Sequence, residues 1–481
     1  MKKSGVLLPI SALPSKYYIG SFGAEALDFA TKLQEAKQSY WQVLPLSYPD
    51  SYHSPYASLA TKAGDPLLID LELLVKQGLL KAKDLPNTSY GKQVAYRKAK
   101  VLKTNLLKKA YVAFKPNNDY RDFIQANPWV KDFATFITLH EHYHKKWSAW
   151  PSKYKYRDSQ ALLEFQKNNQ EKINYQIFVQ YIFNTQLVEF KQALNKKGIK
   201  LIGDVPMYVS YDSFDVWANP KSFRLDEKLE PIAVSGVGPD YFSKEGQLWG
   251  QPLYNFKNER QNNYPYFQDK MHYLASKYDV VRLDHFRAFD SYYVIPKGAT
   301  TALNGKWVKG EGYPLINALF TSAPNLDFIG EDLGDIPASV SILLKRSKIP
   351  GMKVLQFAFD GNPNNPFLPN NIQENCVAYL GTHDNDTTSH WYRSLDAHTQ
   401  ELVQSVAKAK KPKLVTRNLL QVLALTKANL VIYNLADLAI TSRPKRINTP
   451  GTIHGNWIYM LRKNDSDFAY LKKITLLSKR G

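Results

Sequence analysis

The sequence contains almost no cysteine and no long apolar segment. Cys376 is the only cysteine among 481 residues, so no intramolecular disulfide can form, and a reducing compartment is expected. The apolar run at residues 5–10 is too short for a secretory signal and is interrupted by Pro9. No run approaches the ~20 apolar residues that a membrane helix needs. These absences favour a soluble cytoplasmic protein without a membrane partner.

Several binding motifs are also missing. No G-x-G-x-x-G follows an apolar run, which weakens a dinucleotide-binding interpretation. There is no zinc-ligand spacing, no helix-turn-helix pattern and no RNA-binding aromatic motif. We therefore predict no cofactor. A calcium ion would leave no linear motif because its oxygen ligands are scattered, so the sequence is silent on calcium.

Acidic residues are outnumbered, with 43 Asp and Glu against 63 Lys and Arg, for a net charge of +20. The lysines are spread along the whole chain rather than gathered in one motif. We interpret them as a solvated basic surface, which favours solubility and a weak attraction to polyanions. An anionic partner is the alternative, but a nucleic acid is not expected.

Short apolar runs, each followed by polar or turn residues, recur along the chain. They are nearly continuous rather than alternating, which is typical of parallel strands that are buried on both faces. Eight such runs separated by helical segments predict a (β/α)8 barrel of the α/β class, with a two-domain doubly wound fold as the competitor. The runs cover residues 5–10, 40–46, 200–209, 279–286, 326–334, 351–359, 376–384 and 428–438.

The spacing of the runs is uneven. About 150 residues separate the second and third runs, and this span contains helical stretches such as 90–114. The span between the third and fourth runs is rich in Gly, Pro and aromatic residues, as long binding loops are. We predict one catalytic barrel over residues 1–481, with a helical insertion at about 50–195 and a loop-rich insertion at about 210–275 over the active site.

Carboxylates occur where four of the predicted strands end: Asp204, Asp284, Glu331 and Asp384. The carboxyl ends of barrel strands meet at one mouth, so these groups are expected to converge there. Convergent carboxylates suit two chemistries. One is the binding of a divalent metal by oxygen ligands, and the other is cleavage of a glycosidic bond by an acid and an ionised carboxylate.

Neighbouring residues favour the second chemistry. Arg282 points to the same side of its strand as Asp284, and its guanidinium is expected to lower the carboxyl pKa and keep Asp284 ionised. Glu331 has Asp332 beside it, and burial with a neighbouring negative charge is expected to raise its pKa. We therefore predict Asp284 as a nucleophile and Glu331 as a general acid.

The residues around these carboxylates resemble a known family. RLDHFRAF, GEDLG and GTHDNDTT resemble the three catalytic motifs of the 4-α-glucanotransferases called amylomaltases or disproportionating enzymes, glycoside hydrolase family 77. LLPISALPS, WQVLPL, SPYAS, GDVPMYVSYDSFDVWANP, GPDYFSKEGQLWGQPLY, PGMKVLQFAF and INTPGTIHGNW also resemble that family, in the same order. The resemblance covers residues from about 5 to about 462.

This resemblance implies a fold and a reaction. The family fold is a (β/α)8 TIM barrel with inserted subdomains, related to the α-amylase clan. Its members cleave an α-1,4 bond in a glucan and transfer the released segment to the 4-OH of another sugar, by a retaining double displacement. The implied partners are maltooligosaccharides and glucans derived from starch or glycogen, with glucose as an acceptor.

The resemblance also implies roles for individual residues. Asp284 would attack the anomeric carbon, Glu331 would act as acid and then base, and Asp384 would hold the sugar hydroxyls. Arg282 would orient Asp284. Residues 240–249 would cover the acceptor side, and Asn448 would reach the glucan from the far rim. The implied substrate-binding residues are Tyr56, Asp204, Asp240, Tyr241, Gln247, Trp249, Arg282, His383 and Asn448.

The match departs from the family pattern at four places. Lys62 replaces a common aromatic residue, Ala288 replaces a glycine, Gly238 replaces a proline, and residues 434–448 lose several glycines, a glutamine and a glutamate. These departures leave the carboxylates intact, so we predict an active transferase with altered subsites. Two alternatives stay open. One is an amylase-like α-1,4-glucan hydrolase, and the other is a catalytically impaired glucan-binding protein.

Overall fold

The computed structural model describes residues 2–239, 244–439 and 446–481. Within these ranges the chain forms fourteen strands. They are β1 (Lys3–Leu7), β2 (Tyr40–Gln42), β3 (Ser47–Pro49), β4 (Ser58–Gly64), β5 (Lys200–Val205), β6 (Ala233–Val237), β7 (Gln247–Pro252), β8 (Val280–Leu283), β9 (Ser291–Pro296), β10 (Lys306–Lys309), β11 (Asp327–Gly330), β12 (Gly351–Val354), β13 (Cys376–Tyr379) and β14 (Leu430–Asn434).

Eight of these strands form one parallel sheet in the order β11-β8-β5-β2-β1-β14-β13-β12. The two edge strands approach each other, and the amide of Gly330 donates to the carbonyl of Pro350 at 2.9 Å, which nearly closes the sheet. Each of the eight predicted apolar runs supplies one of these strands. The barrel prediction is confirmed, and the doubly wound alternative is wrong.

The barrel strands are buried on both faces over most of their length. Residues of β8 and β13 are buried at every position, as expected for strands covered by helices outside and by side chains inside. Gly5 permits the tightest approach, since a Cβ there would lie 2.5 Å from the carbonyl oxygen of Tyr40 on the neighbouring strand.

The same ranges contain eighteen α-helices. They are α1 (Ala24–Glu35), α2 (Leu71–Lys76), α3 (Tyr96–Ala113), α4 (Asn118–Ala126), α5 (Trp129–Tyr143), α6 (Ser152–Lys155), α7 (Ser159–Asn168), α8 (Gln170–Lys196), α9 (Phe214–Ala218), α10 (Phe256–Gln261), α11 (Pro265–Ala275), α12 (Arg287–Asp290), α13 (Tyr313–Ser322), α14 (Ala338–Ser347), α15 (Thr388–Ser394), α16 (Ala397–Ala407), α17 (Pro412–Leu425) and α18 (Phe468–Leu477). In this part of the chain no helix combines the length and the apolar character needed to cross a bilayer.

Two long connections leave the barrel. The first runs from β2 to β5 and contains the hairpin β3–β4 and helices α2–α8. The second runs from β5 to β8 and contains β6 and β7, which join β9 and β10 in a four-stranded antiparallel sheet. This sheet therefore also uses strands that follow β8. The subdomain limits at about 50–195 and 210–275 stay predictions.

Candidate active site

The four predicted carboxylates lie at the carboxyl ends of barrel strands. Asp204 is the penultimate residue of β5, Asp284 directly follows β8, and Glu331 directly follows β11. Asp384 follows β13 after a four-residue turn. Because all eight strands are parallel, these side chains occupy one mouth of the barrel.

A buried arginine connects two of the carboxylates. Nη1 of Arg282 donates to both carboxylate oxygens of Asp204 at 2.8 Å. Its Nη2 lies 2.9 Å from Oδ1 of Asp284. Arg282 is buried on β8, and its Nε faces the sulfur of Met352 at 3.3 Å. The guanidinium therefore has a fixed position from which it orients Asp284.

Burial dominates the ionisation of Asp284. The surroundings raise its pKa to about 6, because loss of solvation outweighs the lowering effect of Arg282, and Asp204 and Asp384 add negative charge. Arg282 therefore lowers the pKa of Asp284 as predicted. Burial outweighs this effect, so the predicted net lowering of the Asp284 pKa is wrong. Sequence neighbours alone could not reveal how far the carboxylate is withdrawn from water.

Glu331 is held in place by two backbone amides. His285 donates to its Oε2 and Leu333 to its Oε1, both at 2.8 Å. Burial raises its pKa to about 7, and the charge of Asp284 contributes in the same direction, against Arg282. The raised pKa agrees with the prediction, but the negative neighbour is Asp284. Asp332 faces away and accepts from the amide of Met352 at 2.6 Å.

Asp384 is the strongest acid of the group. Burial opposes its ionisation, but the charge of His383 and hydrogen bonds from His383 and Asn448 outweigh burial, so its pKa lies below the usual range. Nδ2 of Asn448 donates to Oδ1 of Asp384 at 2.6 Å, and Nε2 of His383 lies 3.3 Å from Oδ2. Asn448 therefore lies beside Asp384 rather than on the far rim.

Tyr56 joins the two sides of the mouth. Its hydroxyl donates to Oδ2 of Asp204 at 2.7 Å and lies 2.8 Å from Nε2 of His383. Its ring stacks on the His383 ring with centroids 5.3 Å apart. Trp457, which sequence reasoning did not identify, packs 5.8 Å from the Tyr56 ring. The motif around Trp457 matched the family, but its contact with Tyr56 depends on the fold.

The predicted acceptor-side residues are placed in part. Trp249 lies on β7 and meets the ring of His285 edge-on, with centroids 4.9 Å apart. Gln247 is exposed, and its Oε1 accepts from the Trp249 indole at 3.1 Å. Asp240 and Tyr241 lie outside the described residues.

His285 is a second residue that sequence reasoning missed. It has a left-handed backbone with φ of 50°, and its Nε2 is buried without a hydrogen-bond partner among the residues that the structure describes. Burial and the charge of Arg287 lower its pKa to about 4, so the ring is neutral at pH 7. The signal in the sequence was its position directly after Asp284.

The departures from the family pattern differ in their distance from the carboxylates: the end of the divergent segment 434–448 contacts Asp384 through Arg446 and Asn448. Lys62 pairs with Asp269 at 2.5 Å and covers the Trp129 ring. Ala288 is fully buried in α12. Of the segment 434–448, the structure describes 434–439 and 446–448, and there Asp437 accepts from the Thr388 amide and hydroxyl, both at 2.8 Å.

Across the described ranges, no group of three or more His, Cys, Asp or Glu side chains is arranged to hold a metal ion. The arrangement that is present consists of an ionisable carboxylate oriented by arginine, a second carboxyl with a pKa near neutrality, and a third that stays ionised. An ionised group beside a protonated one can cleave and form glycosidic bonds. Fold and site together define a barrel enzyme with paired carboxyls at its mouth.

Comparison with known proteins agrees with this class. The model of the 4-alpha-glucanotransferase family matches residues 8–465. The chain is 37% identical to the 4-alpha-glucanotransferase of Clostridium butyricum over 464 residues, covering 95% of each chain. It is 36% identical to that of Aquifex aeolicus, covering 96% of each. The amylomaltase of Streptococcus agalactiae, solved in complex with acarbose, superimposes with a TM-score of 0.96 at 35% identity, covering both chains fully.

The chain therefore belongs to the 4-alpha-glucanotransferase family. The family resemblance drawn from its motifs is confirmed, as is the predicted transferase activity. The amylomaltase of Corynebacterium glutamicum, 16% identical with a TM-score of 0.79, shares the fold.

Proposed function

We propose that this 4-alpha-glucanotransferase acts on α-1,4-linked maltooligosaccharides by a retaining double displacement that uses Asp284, Glu331 and Asp384. The observation that carries the proposal is the arrangement of the first two groups on neighbouring strands: the buried Arg282 guanidinium lies 2.9 Å from Asp284, whereas Glu331 accepts from the backbone amides of His285 and Leu333, both at 2.8 Å. Asp284, with a pKa of about 6, is largely ionised at neutral pH, whereas Glu331, with a pKa of about 7, is still protonated in about half of the molecules. One ionised and one protonated carboxyl on neighbouring strands is the combination that the reaction needs.

In the first step the carboxylate of Asp284 forms a bond to the anomeric carbon of the donor sugar. The bond from that carbon to the leaving oxygen breaks, and the proton of Glu331 moves to this oxygen. Arg282 holds the Asp284 carboxylate in its attacking orientation through the 2.9 Å contact. Asp384, which stays ionised, stabilises the positive charge that develops on the sugar.

In the second step an acceptor hydroxyl replaces the carboxylate. The 4-OH of glucose or of another glucan attacks the anomeric carbon, Glu331 takes its proton, and the bond to Asp284 breaks. Water competes with the sugar for the same intermediate, so transfer requires an acceptor site that binds sugar and excludes solvent. Trp249 beside His285 offers an aromatic surface for this purpose.

The remaining predicted residues are proposed as substrate contacts. Tyr56 offers a ring for stacking beneath the sugar and stays fixed through its contacts with Asp204 and His383. His383 and Asn448 are proposed to bind hydroxyls beside Asp384. On the acceptor side we assign the same role to Asp240, Tyr241 and Gln247. Acarbose in the related amylomaltase supports maltooligosaccharides as ligands, and starch- or glycogen-derived glucans are proposed as larger ones.

The test is product analysis on maltotriose with reducing ends measured in parallel. Glucose should appear together with maltotetraose and longer products while the number of reducing ends stays constant. Asp284→Asn should lose activity by about 10⁴-fold, because no covalent intermediate can form. Asp335→Asn, a charge change on an exposed side chain, should leave activity unchanged and serves as the control.

Two results would replace this proposal. Rising reducing ends with glucose and maltose as products would identify a hydrolase. No turnover of maltotriose, maltose or long glucans, together with measurable binding, would identify a glucan-binding protein. Full activity in Asp284→Asn would show that Asp284 is not the nucleophile.

We also propose that the protein acts in the cytoplasm, which is supported by a single, buried cysteine. Fractionation of the source cells with an antibody against the chain would test this location. The helical connection between β2 and β5 is proposed to act as a separate insertion subdomain, and the loop-rich connection between β5 and β8 as a cover for the acceptor side.

A further inference from the structure

A second cavity lies at the amino-terminal end of the barrel, opposite the carboxylates. Its volume is about 400 Å³. The lining residues on the strands are the first residues of those strands or lie near them, as with Lys3 of β1, Tyr40 of β2 and Val280 of β8. Lys348 and Pro350, just before β12, complete this part of the wall. The cavity is therefore separated from the glucan site by the length of the barrel.

Two lysines of the lining have no counter-ion. Among the residues that the structure describes, neither Lys3 nor Lys348 forms an ion pair or a side-chain hydrogen bond. The one carboxylate in the lining belongs to Asp327, and Lys200 neutralises it at 3.1 Å. The lining thus contains two lysines without a counter-ion and one carboxylate that is already paired with Lys200. The resulting positive charge attracts an anion.

The rim adds further positive charge. The chain reaches this end of the barrel in nine short segments, at residues 2–4, 35–40, 195–201, 276–280, 323–328, 345–351, 374–376, 426–430 and 478–481. They contain thirteen lysines and arginines, of which Lys277 and Arg480 are buried, against four aspartates and glutamates. This end of the barrel therefore carries a substantial part of the net charge of +20.

The remainder of the wall is apolar, aromatic and amide-bearing. Phe320 and Phe328 are in ring contact at 5.4 Å, and Tyr40 also lines the cavity. Asn375 and Asn429 bring exposed side-chain amides. Simple phosphate would leave these surfaces unused, whereas a phosphate ester with a flat heterocyclic part would occupy them.

We propose that this cavity is a binding site for a phosphate monoester with an aromatic moiety, of the size of a nucleoside monophosphate. The phosphate contacts the ammonium groups of Lys3 and Lys348. The base lies against the aromatic wall, and the amides of Asn375 and Asn429 bind its polar edge. A cavity of about 400 Å³ is within the range of small-ligand sites. This site is independent of the glucan chemistry.

Calorimetric titration of the full-length protein with AMP tests the site. We expect saturable binding of one AMP per chain, with adenosine and inorganic phosphate each at least about tenfold weaker. The double variant Lys3→Gln/Lys348→Asn should weaken AMP by about tenfold or more, because it removes both charged contacts. Asparagine suits position 348, where φ is 58°. Maltotriose should not compete.

The matched control is Lys196→Gln/Lys197→Gln, which removes the same charge from the rim without touching the cavity lining. It should bind AMP like the unaltered chain. Equal weakening in both double variants would mean general attraction to a basic face, and would overturn the proposal. So would the absence of binding at about 10 mM AMP, or phosphate binding as tight as AMP.

Cys376 lines the cavity and is the only thiol in the chain, so it gives a local readout. Burial raises its pKa to about 11, so the labelling is followed at alkaline pH and over a time that gives a measurable rate in the AMP-free chain. Bound AMP should slow its modification by methyl methanethiosulfonate in the unaltered chain and in the control variant. At the same AMP concentration, the Lys3→Gln/Lys348→Asn variant should show little protection. Unchanged labelling at saturating AMP would place the nucleotide elsewhere. Equal transfer activity on maltotriose in all variants shows that each is folded.

Discussion

Asp284 and Glu331 illustrate how burial sets acid–base roles. Burial raises the pKa of both carboxyls, to about 6 for Asp284 and about 7 for Glu331, against the charge of Arg282 in each case. The direct contact of Asp284 with Arg282 and the two backbone donors of Glu331 are the geometric difference that supports the proposed nucleophile and acid. Because the two groups interact, the pH dependence of activity reports the pair as a whole.

The pH profile of kcat/KM should be bell-shaped. Activity should rise as pH increases through about 6, where Asp284 loses its proton, and fall through about 7, where Glu331 loses its own. Glu331→Gln should remove the basic limb when the donor is maltosyl fluoride, whose leaving group needs little protonation. The unaltered enzyme on the same donor is the control. A basic limb that persists in the variant would assign the acid to another group.

Tyr56 offers a second test at this scale. Tyr56→Phe keeps the ring on His383 but removes the hydroxyl that lies between Asp204 and His383. We expect kcat/KM on maltotriose to fall by about tenfold, since two buried groups lose a partner. Tyr52→Phe, on an exposed side chain, should have no effect. Unchanged kinetics in Tyr56→Phe would reduce the residue to a packing role.

The positions of these carboxylates could be predicted from the sequence because each follows an apolar run. Their environments could not. Asp332 is adjacent to Glu331 in the chain, yet it faces the amide of Met352 on the next strand. Trp457 and His285 complete the site through contacts that only the closed barrel creates. The sequence therefore predicted which residues lie at the mouth of the barrel, but not which neighbours change their pKa values.

At the scale of elements, the barrel strands were predictable and the second sheet was not. Each barrel strand is buried on both faces and therefore gives a continuous apolar run. In the antiparallel sheet the strand Gln247–Pro252 is exposed along much of its length, so it gives no continuous apolar run. Apolar runs also overstate strand length: residues 351–359 form a strand only as far as Val354, followed by a buried turn.

Gly5 tests how tightly the barrel strands pair. Gly5→Ala should lower the free energy of unfolding by about 1–3 kcal/mol, because the new methyl would meet the Tyr40 carbonyl at 2.5 Å and the strands would have to separate. Chemical denaturation measures the change. Ser4→Ala on the same strand is the control. The Ser4 hydroxyl is buried without a partner in the described residues, so its loss should be neutral or stabilising. Equal stability in Gly5→Ala would contradict the close pairing.

At the scale of the whole molecule, the two ends of the barrel differ in what they bind. The carboxyl ends of the strands present acids, arginine and aromatic rings, whereas the amino ends present unpaired lysines around a separate cavity. The chain also begins and ends at this basic face. β1 starts at Lys3, and the residues after α18 return to lie against it.

Arg480 fastens the end of the chain to its beginning. Its side chain is fully buried and donates to the carbonyls of Ala424, Thr426 and Ala428 at 2.6–2.7 Å, and to that of Lys3 at 3.3 Å. One guanidinium thus donates hydrogen bonds to backbone carbonyls from the end of α17 to the start of β14, and to one carbonyl of β1. Arg480→Met preserves much of the volume but removes this donor from all of these carbonyls, of which that of Thr426 still accepts from Nζ of Lys2 at 3.0 Å. We expect the free energy of unfolding to fall by about 2–4 kcal/mol.

Denaturation of Arg480→Met, compared with Lys479→Met, measures this effect. Lys479 is the exposed neighbour, and its replacement changes charge by the same amount without removing a buried hydrogen bond. Maltotriose turnover below the unfolding transition should match the unaltered enzyme, since Arg480 lies at the end of the barrel remote from Asp284. Equal losses of stability in both variants would attribute the effect to surface charge. A loss confined to Arg480→Met would show that the closed barrel depends on a contact between its first strand and its penultimate residue.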